Sequence, residues 1–241
     1  MPVSGERDFR SIEQFLSRAE RDGHEALTEP ETKTILAHAG IAVPRESVAT
    51  SAAHAVRLAR RIGFPVVLKV VSRDLPHKSD VGGVLLGLRS QDAVRRAYCT
   101  IVTRVRRVSR RARIDGVLVQ PHFRGREVIL GATRDAQLGP VVAFGMGGTA
   151  VELLDDVAFR LVPIDERDAR EMLAEIKSAP LLNGYRGAPA VDTRSIVRSL
   201  LCLSQLMSAF SHRIREIEIN PLLVTRHGAV AVDAIAILAS T

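Results

Sequence analysis

Residues 64–84, FPVVLKVVSRDLPHKSDVGGV, hold one lysine inside an apolar, β-branched run. Val66, Val67, Leu68, Val70 and Val71 predict a buried strand, because branched side chains suit a pleated surface, and Lys69 is its only charge. An ammonium removed from water needs a partner, and lysine serves as a point charge for phosphoryl groups. His77, Lys78, Ser79 and Asp80 then lead into Gly82 and Gly83. Glycines let backbone N–H groups approach an anion. Two readings stand at this point: a phosphate-binding strand and loop, or a strand-ending lysine followed by an ordinary Gly-Gly turn.

A chain of 241 residues with 46% hydrophobic content can bury a sizeable core as one bilobal unit or two small domains. With no Trp, 2 Tyr and 7 Phe that core is aliphatic, and stacking platforms for single-stranded nucleic acid are scarce. The net charge of +7 fits anionic ligands. Cys99 and Cys202 lie in helical patterns without C-x-x-C spacing, so buried structural thiols are expected rather than a disulfide or zinc site. The N-terminus has no apolar signal region, and no apolar run approaches the roughly 18 residues of a membrane span. A cytoplasmic setting without membrane or nucleic-acid partners is therefore expected.

Along the chain, Phe9, Ile12, Phe15 and Leu16 predict a short amphipathic helix on a flexible N-terminal arm. LTEPETKTILAHAG predicts a capped helix, with Thr28 as N-cap, Pro30 inside the first turn, Glu31 three residues on and Gly40 as stop. Residues 46–83 alternate strand and helix, VLLGLRS continues as a second strand, and 92–113 predicts an arginine-rich helix whose Ile101, Val102, Val105 and Val108 form an apolar stripe. Its arginines then occupy the solvated remainder rather than a nucleic-acid face. GVLVQPHF is a strand entering a bend, and REVILGATRD is a strand bearing Glu127. Gly145, Gly147 and Ala150 give G-x-G-x-x-A after a strand, a partial dinucleotide fingerprint with Asp165 nearer than the usual acidic position. The terminal strands, turned at His227-Gly228, plant Glu218, Asn220 and Asp233 in apolar surroundings. Glu218 and Asn220 are two apart and share a face, and the turn can bring Asp233 opposite Asn220. Such a cluster suits Mg²⁺, or else a hydrogen-bond network around an Asn-Pro bend.

The features in order are G-I-x-V-P, the strand lysine, H-K-S-D-V-G-G-V, strand-bend-Glu, G-M-G-G-x-x-V-E, and E-I-N-P-L with a later V-D. From about Leu27 onward the chain resembles the ATP-grasp β subunit of ADP-forming acyl-CoA synthetases, relatives of succinyl-CoA synthetase. The resemblance implies an α/β (α+β) fold in which two subdomains grip a nucleotide. The expected division is 1–26 as arm, 27–44 with 123–241 as core, and 45–122 as lid. It implies ATP or ADP and Mg²⁺ as ligands. Lys69, Gly82 and Gly83 would hold the phosphates, and the backbone of Gln120, Pro121 and His122 would receive adenine. Glu127 would contact the nucleotide, with Asn220 and Asp233 on Mg²⁺. His77 falls on the histidine proposed to carry a phosphoryl group between sites, and Glu218 on the acidic residue that steadies a phosphohistidine; many relatives with the H-K-S-D loop have Asp there. Imidazole is a competent nitrogen nucleophile near neutral pH, which agrees with that role. One histidine serving two sites implies a mobile 74–83 loop.

No CoA-binding Rossmann segment is recognised before residue 27, so a separate CoA-binding α subunit, or a fused α-type domain, is expected to complete the enzyme. The implied reaction is acyl-CoA + phosphate + ADP = acid + CoA + ATP. The alternatives are a non-catalytic ATP-grasp regulatory or nucleotide-sensing domain, and NAD binding through Gly145 to Ala150. The acyl acid itself is not legible.

Overall fold

The structure, a computed structural model, describes residues 7–75, 78–148 and 156–239. Their chain path forms two compact units, residues 44–123 and the remainder.

Helix α1 (Phe9–Arg21) is capped by Asp8, whose carboxylate accepts from the Ser11 N–H at 3.0 Å. Its apolar stripe buries Ile12, Leu16 and Ala19 in the core of the larger unit. Arg213 fixes its far end, with Nη2 2.6 Å from Glu20 Oε2 and 3.0 Å from Ser17 Oγ. The N-terminal segment is thus not a flexible arm from residue 8 onward, since burial of a full helical face and a bidentate ion pair tie it down. Strand β1 (Ala26–Leu27) joins the sheet edge. Helix α2 (Glu29–His38) starts as its sequence predicts. Glu31 accepts from both the N–H and the hydroxyl of Thr28, at 2.8 and 2.6 Å, and Gly40 (φ +93°) ends it.

The 44–123 unit is a four-stranded antiparallel sheet under two helices. It comprises β2 (Ser47–Ala49), α3 (Ala52–Ile62), β3 (Val66–Val71), β4 (Val84–Leu88), α4 (Gln91–Val108) and β5 (Gly116–Pro121). The strand order is β2-β5-β3-β4. Val66, Leu68 and Val70 of β3 pack with Val117 and Val119 against Ala55 and Ala59 of α3 and Val94, Ile101 and Val105 of α4. Period-two alternation therefore turns Val67, Lys69 and Val71 to the other face.

The larger unit continues with β6 (Arg126–Asp135), β7 (Gly139–Met146), β8 (Val157–Leu161), α5 (Glu166–Glu175), α6 (Thr193–Phe210), β9 (Ile214–Thr225), β10 (Gly228–Ala231) and β11 (Ala234–Leu238). Six strands run in the order β1-β11-β9-β6-β7-β8, and β10 extends β9. All of these pairings are antiparallel. Val128, Leu130 and Ala132 of β6 face Leu200, Leu203 and Met207 of α6 in the core. The opposite face shows Ile129, Gly131 and Thr133 to a cavity of about 300 Å³ that also holds Glu216 and Glu218. Among the described residues no helix is long and apolar enough to cross a membrane.

Candidate nucleotide site

Lys69 is 4% exposed in a strand buried along its whole length. In the β3–β5 register Lys69 stands opposite Leu118 and Val67 opposite Gln120. Lys69 and Gln120 therefore occupy the same face, diagonal to each other across two strands. Gln120 is also buried, at 2% exposure. The sheet thus gathers an ammonium and an amide on the face its helices leave uncovered.

The bend after β5 is fastened to β3. The His122 N–H donates to the Pro65 carbonyl at 3.0 Å, and strand alternation then turns the Pro121 carbonyl away from β3. His122 itself lies over Gly87, where a Cβ would stand 3.6 Å from its Nδ1. Gly87 has φ +67° and sits where the β3–β4 register shifts, so an extra residue on β4 makes room for the imidazole.

The amides of the glycine loop bond within the loop in this conformation. The Gly82 N–H donates to the Ser79 carbonyl at 3.0 Å and the Gly83 N–H to the Lys78 carbonyl at 2.8 Å. Both amides are committed to the loop itself, so in this conformation neither points at an anion. Glycine is required here for another reason. Gly82 has φ +65°, and a Cβ on Gly83 would fall 2.6 Å from Val70 Cγ1. Arg104, read from sequence as part of a solvated helix face, lies against this loop, with its Cδ 2.9 Å from where a Gly82 Cβ would be. Its place on the helix turn before Val105, a buried residue, is the signal that was available. Pro76 and His77 lie outside the described residues.

In the larger unit, β9 contains a cis Asn220–Pro221 peptide. Asn220 Nδ2 donates to Glu218 Oε1 at 2.9 Å, which assigns the amide so that its Oδ1 remains as acceptor. The Asn220 N–H donates to the Asp233 carbonyl at 3.1 Å, and the Val232 N–H to the Pro221 carbonyl at 3.2 Å. These bonds span the gap between the β9–β10 and β9–β11 ladders and set Asp233 beside Asn220. Glu218 stands opposite Gly131, whose missing side chain leaves the carboxylate room. Among the described residues no three His, Cys, Asp or Glu side chains are grouped to hold a metal. Two hard protein oxygens, from Asn220 and Asp233, fit Mg²⁺ all the same, because this ion is usually bound by one or two carboxylates and completed by phosphates and water.

Glu127 is exposed at the start of β6. The Gly147 N–H donates to its carbonyl at 2.8 Å, and a Cβ on Gly147 would lie 2.7 Å from Glu127 Cβ. Gly147 and Gly148 are therefore the surface on which Glu127 rests, a positioning role missed from sequence although the glycine pair marked it. The dinucleotide fingerprint is corrected by the same strands. Gly145 lies inside β7, paired to Ile129 on one side and Val157 on the other, in a wholly antiparallel sheet. A dinucleotide fold needs a parallel βαβ crossover, which this antiparallel arrangement does not supply. Ala150 lies outside the described residues. The cysteine expectation is half corrected: Cys202 is buried, with its thiol pushed up by burial, and Cys99 is exposed.

Comparison with known proteins places these features in a family. Residues 18–238 match the sequence model of the ATP-grasp domain. The chain is 41% identical over 233 residues to the acetate–CoA ligase [ADP-forming] II subunit beta of Pyrococcus furiosus, covering 95% of this chain and 97% of that one. It superposes on a dinucleotide-forming acetyl-coenzyme A synthetase 1 of Ca. Korarchaeum cryptofilum, solved with coenzyme A, Ca-AMPCP and HgCl+. The TM-score is 0.91 and the identity 42%, over 94% of this chain and 99% of that chain. A second structure of that enzyme, with coenzyme A and Mg-AMPPCP and its phosphohistidine segment pointing towards the nucleotide binding site, matches with TM-score 0.82 and 39% identity over the same shares.

Proposed function

Because this chain belongs to the ATP-grasp family, with the β subunits of ADP-forming acetate–CoA ligases, we propose that it is the nucleotide-binding half of such a ligase. The reaction is the reversible conversion of acyl-CoA, phosphate and ADP into acid, CoA and ATP. The observation that carries this reading is the match to a β subunit along nearly the whole of both chains. A CoA-binding α-type partner, separate or fused, supplies the acyl-CoA chemistry and the phosphohistidine.

Within that reading each unit contributes its own groups. Lys69, on the face of the small sheet turned away from its helices, neutralises nucleotide phosphate charge, and Gln120 diagonal to it supplies an amide. Adenine meets the open backbone edge at Pro121 and His122. Gly82 and Gly83 keep the loop that carries His77 closed on its own carbonyls, so any contact of their amides with phosphate requires that loop to open. Glu127, seated on Gly147, takes nucleotide hydroxyls. Asn220 and Asp233 would hold Mg²⁺, which would supply neutralisation of phosphate charge there. Glu218 steadies the imidazolium of a phosphohistidine, and its bond from Asn220 fixes the carboxylate for that task.

Phosphoryl transfer asks for positioning and charge neutralisation more than covalent help from the protein. The one covalent station assigned to this chain is His77. Its imidazole nitrogen accepts the phosphoryl group from the partner's phosphohistidine, which leaves as neutral imidazole. A terminal oxygen of the ADP β-phosphate then takes it, freeing His77. Acid-quench labelling with ATP radiolabelled in the γ-phosphate, with partner present, tests this. Wild type is expected to give acid-labile label on this chain. Normal labelling of this chain and normal turnover by His77→Ala would remove His77 from the relay.

A further inference from the structure

We propose that the helix-covered side of the larger sheet carries a second anion site, an open pocket of about 550 Å³ for a small organic anion with an apolar body. Arg124 and Arg126 reach it from the start of β6, and Arg226 and His227 from the turn between β9 and β10. Pro189, Val191 and Val224 form an apolar wall. Arg126 shares the strand face of Val128 and Leu130, which point to the helices, whereas Glu127 and Gly131 alternate to the other face. The pocket is therefore on the reverse of the sheet from Glu127 and Glu218, and the inference does not rest on the nucleotide reading.

Three guanidinium groups surround this concavity, and among the described residues none of them has a carboxylate within 4.0 Å. Arg126 Nε is buried without a hydrogen-bond partner. A buried, unanswered N–H in a positive neighbourhood is a cost the fold carries for no internal contact, and turning the guanidinium onto an anion would relieve it. Arg226 is held in place locally. Its Nε donates to His227 Nε2 at 2.9 Å, and the His227 N–H donates to Thr225 Oγ1 at 3.0 Å, so its terminal amino groups remain for a ligand. Gly125 lets the chain before β6 lie against β9, since a Cβ there would sit 2.8 Å from the Val224 carbonyl oxygen. Planar guanidinium forks match carboxylate and phosphate alike, and the apolar wall selects an anion with a hydrocarbon body over a bare inorganic ion.

Calorimetric titration of the full chain tests this, with Mg·AMPPCP in excess to block the nucleotide side. The probes are phenyl phosphate, benzoate, inorganic phosphate and benzyl alcohol. One saturable site is expected for phenyl phosphate, benzoate or both, and the ratio of the two affinities tells phosphate from carboxylate preference. Inorganic phosphate and benzyl alcohol should bind at least about tenfold more weakly than the better aromatic anion. Arg126→Gln and Arg226→Gln should each weaken that anion at least about tenfold, as loss of a charge-assisted pair implies. Arg226 is on an exposed turn, so its variant decides the matter should Arg126→Gln fail to fold. Absence of saturable binding by both aromatic anions, unchanged affinity in Arg226→Gln, or equal binding of inorganic phosphate would overturn the proposal.

Discussion

Asn220 and Asp233, the residues proposed for Mg²⁺, show how two polar residues in apolar strands are brought side by side by a backbone bond. Asn220 holds the Asp233 carbonyl through its N–H and Glu218 through its amide, so one residue ties three polar groups together between the β9–β10 and β9–β11 ladders. Asp233→Asn keeps the shape and removes a charge. The variant is expected to bind ADP without metal about as well as the parent while needing at least about tenfold more Mg²⁺ for half-maximal turnover with the partner, since a carboxylate oxygen is the harder ligand. An unchanged Mg²⁺ requirement would take Asp233 out of the site. Asp156 makes a different, structural use of a carboxylate. Burial alone would push its pKa up, but the Ser178 hydroxyl and the N–H groups of Lys177 and Ser178, these two at 2.6 and 2.8 Å, outweigh that and hold it below its ordinary 3.8. A depressed folded pKa means that the stabilisation is complete above the unfolded value and is lost as pH falls through the folded one. Asp156→Asn should thus be less stable at pH 7 by on the order of 2 kcal/mol, with a gap to wild type that narrows below about pH 4. Urea unfolding at both pH values measures this, and a gap that widens in acid would contradict it.

At the scale of elements, the loop between β3 and β4 is closed on itself by two glycine amides, and its closeness to Val70 leaves no room for a side chain at 83. Gly83→Ala is expected to cost about 1–3 kcal/mol by overpacking, and to reduce phosphoryl labelling at His77 more than it reduces ADP affinity. Full parental stability, read by urea unfolding, would show that Val70 and the Lys78 carbonyl yield easily. The same loop marks how far sequence reasoning reaches. A buried strand was legible in Val66 to Val71 because a continuous branched run admits few alternatives, and the capped helix at Thr28 was legible because capping is local. For the Gly82–Gly83 amides, composition predicts only that N–H groups can be approached; that the Ser79 and Lys78 carbonyls take them in this conformation was not legible. The G-x-G-x-x-A pattern misled for a related reason: it contains no information on strand direction, and Gly145 lies between two antiparallel neighbours. Helix α1 was legible as an amphipathic helix but not as part of the core, because Arg213, which pins it to Glu20, is 193 residues away in sequence. For Glu218, Asn220 and Asp233 the spacing of two and the turn at His227-Gly228 were enough to predict proximity, and the bonds at 2.9 and 3.1 Å give its form.

For the molecule as a whole, charge is divided as unevenly as structure. The 44–123 unit holds 16 Lys and Arg against 5 Asp and Glu, while the rest of the chain holds 18 against 22. Most of that excess lies on α3, α4 and the segment after α4, where Arg57, Arg60, Arg95, Arg106, Arg107 and Arg110 are solvated around the buried stripe of Val94, Ile101 and Val105. Lys69 belongs to the same unit, so the field around the proposed phosphate lysine is positive well beyond the one buried ammonium, and fields of this kind raise association rates of anions in a salt-dependent way. Catalysis of the full reaction, by contrast, requires chemistry for acyl-CoA and a donor phosphohistidine that no residue assigned in this chain supplies. The purified chain is accordingly expected to bind Mg·ADP on its own, seen as a rise in Tm that saturates with ligand, and to do so with an association rate that falls as salt increases. It is expected to give no CoA release from acetyl-CoA, phosphate and ADP until an α-type partner is added. Robust turnover by the chain alone would mean that the acyl-CoA site is here after all, and a Tm indifferent to Mg·ADP would remove the nucleotide reading on which the division of labour depends.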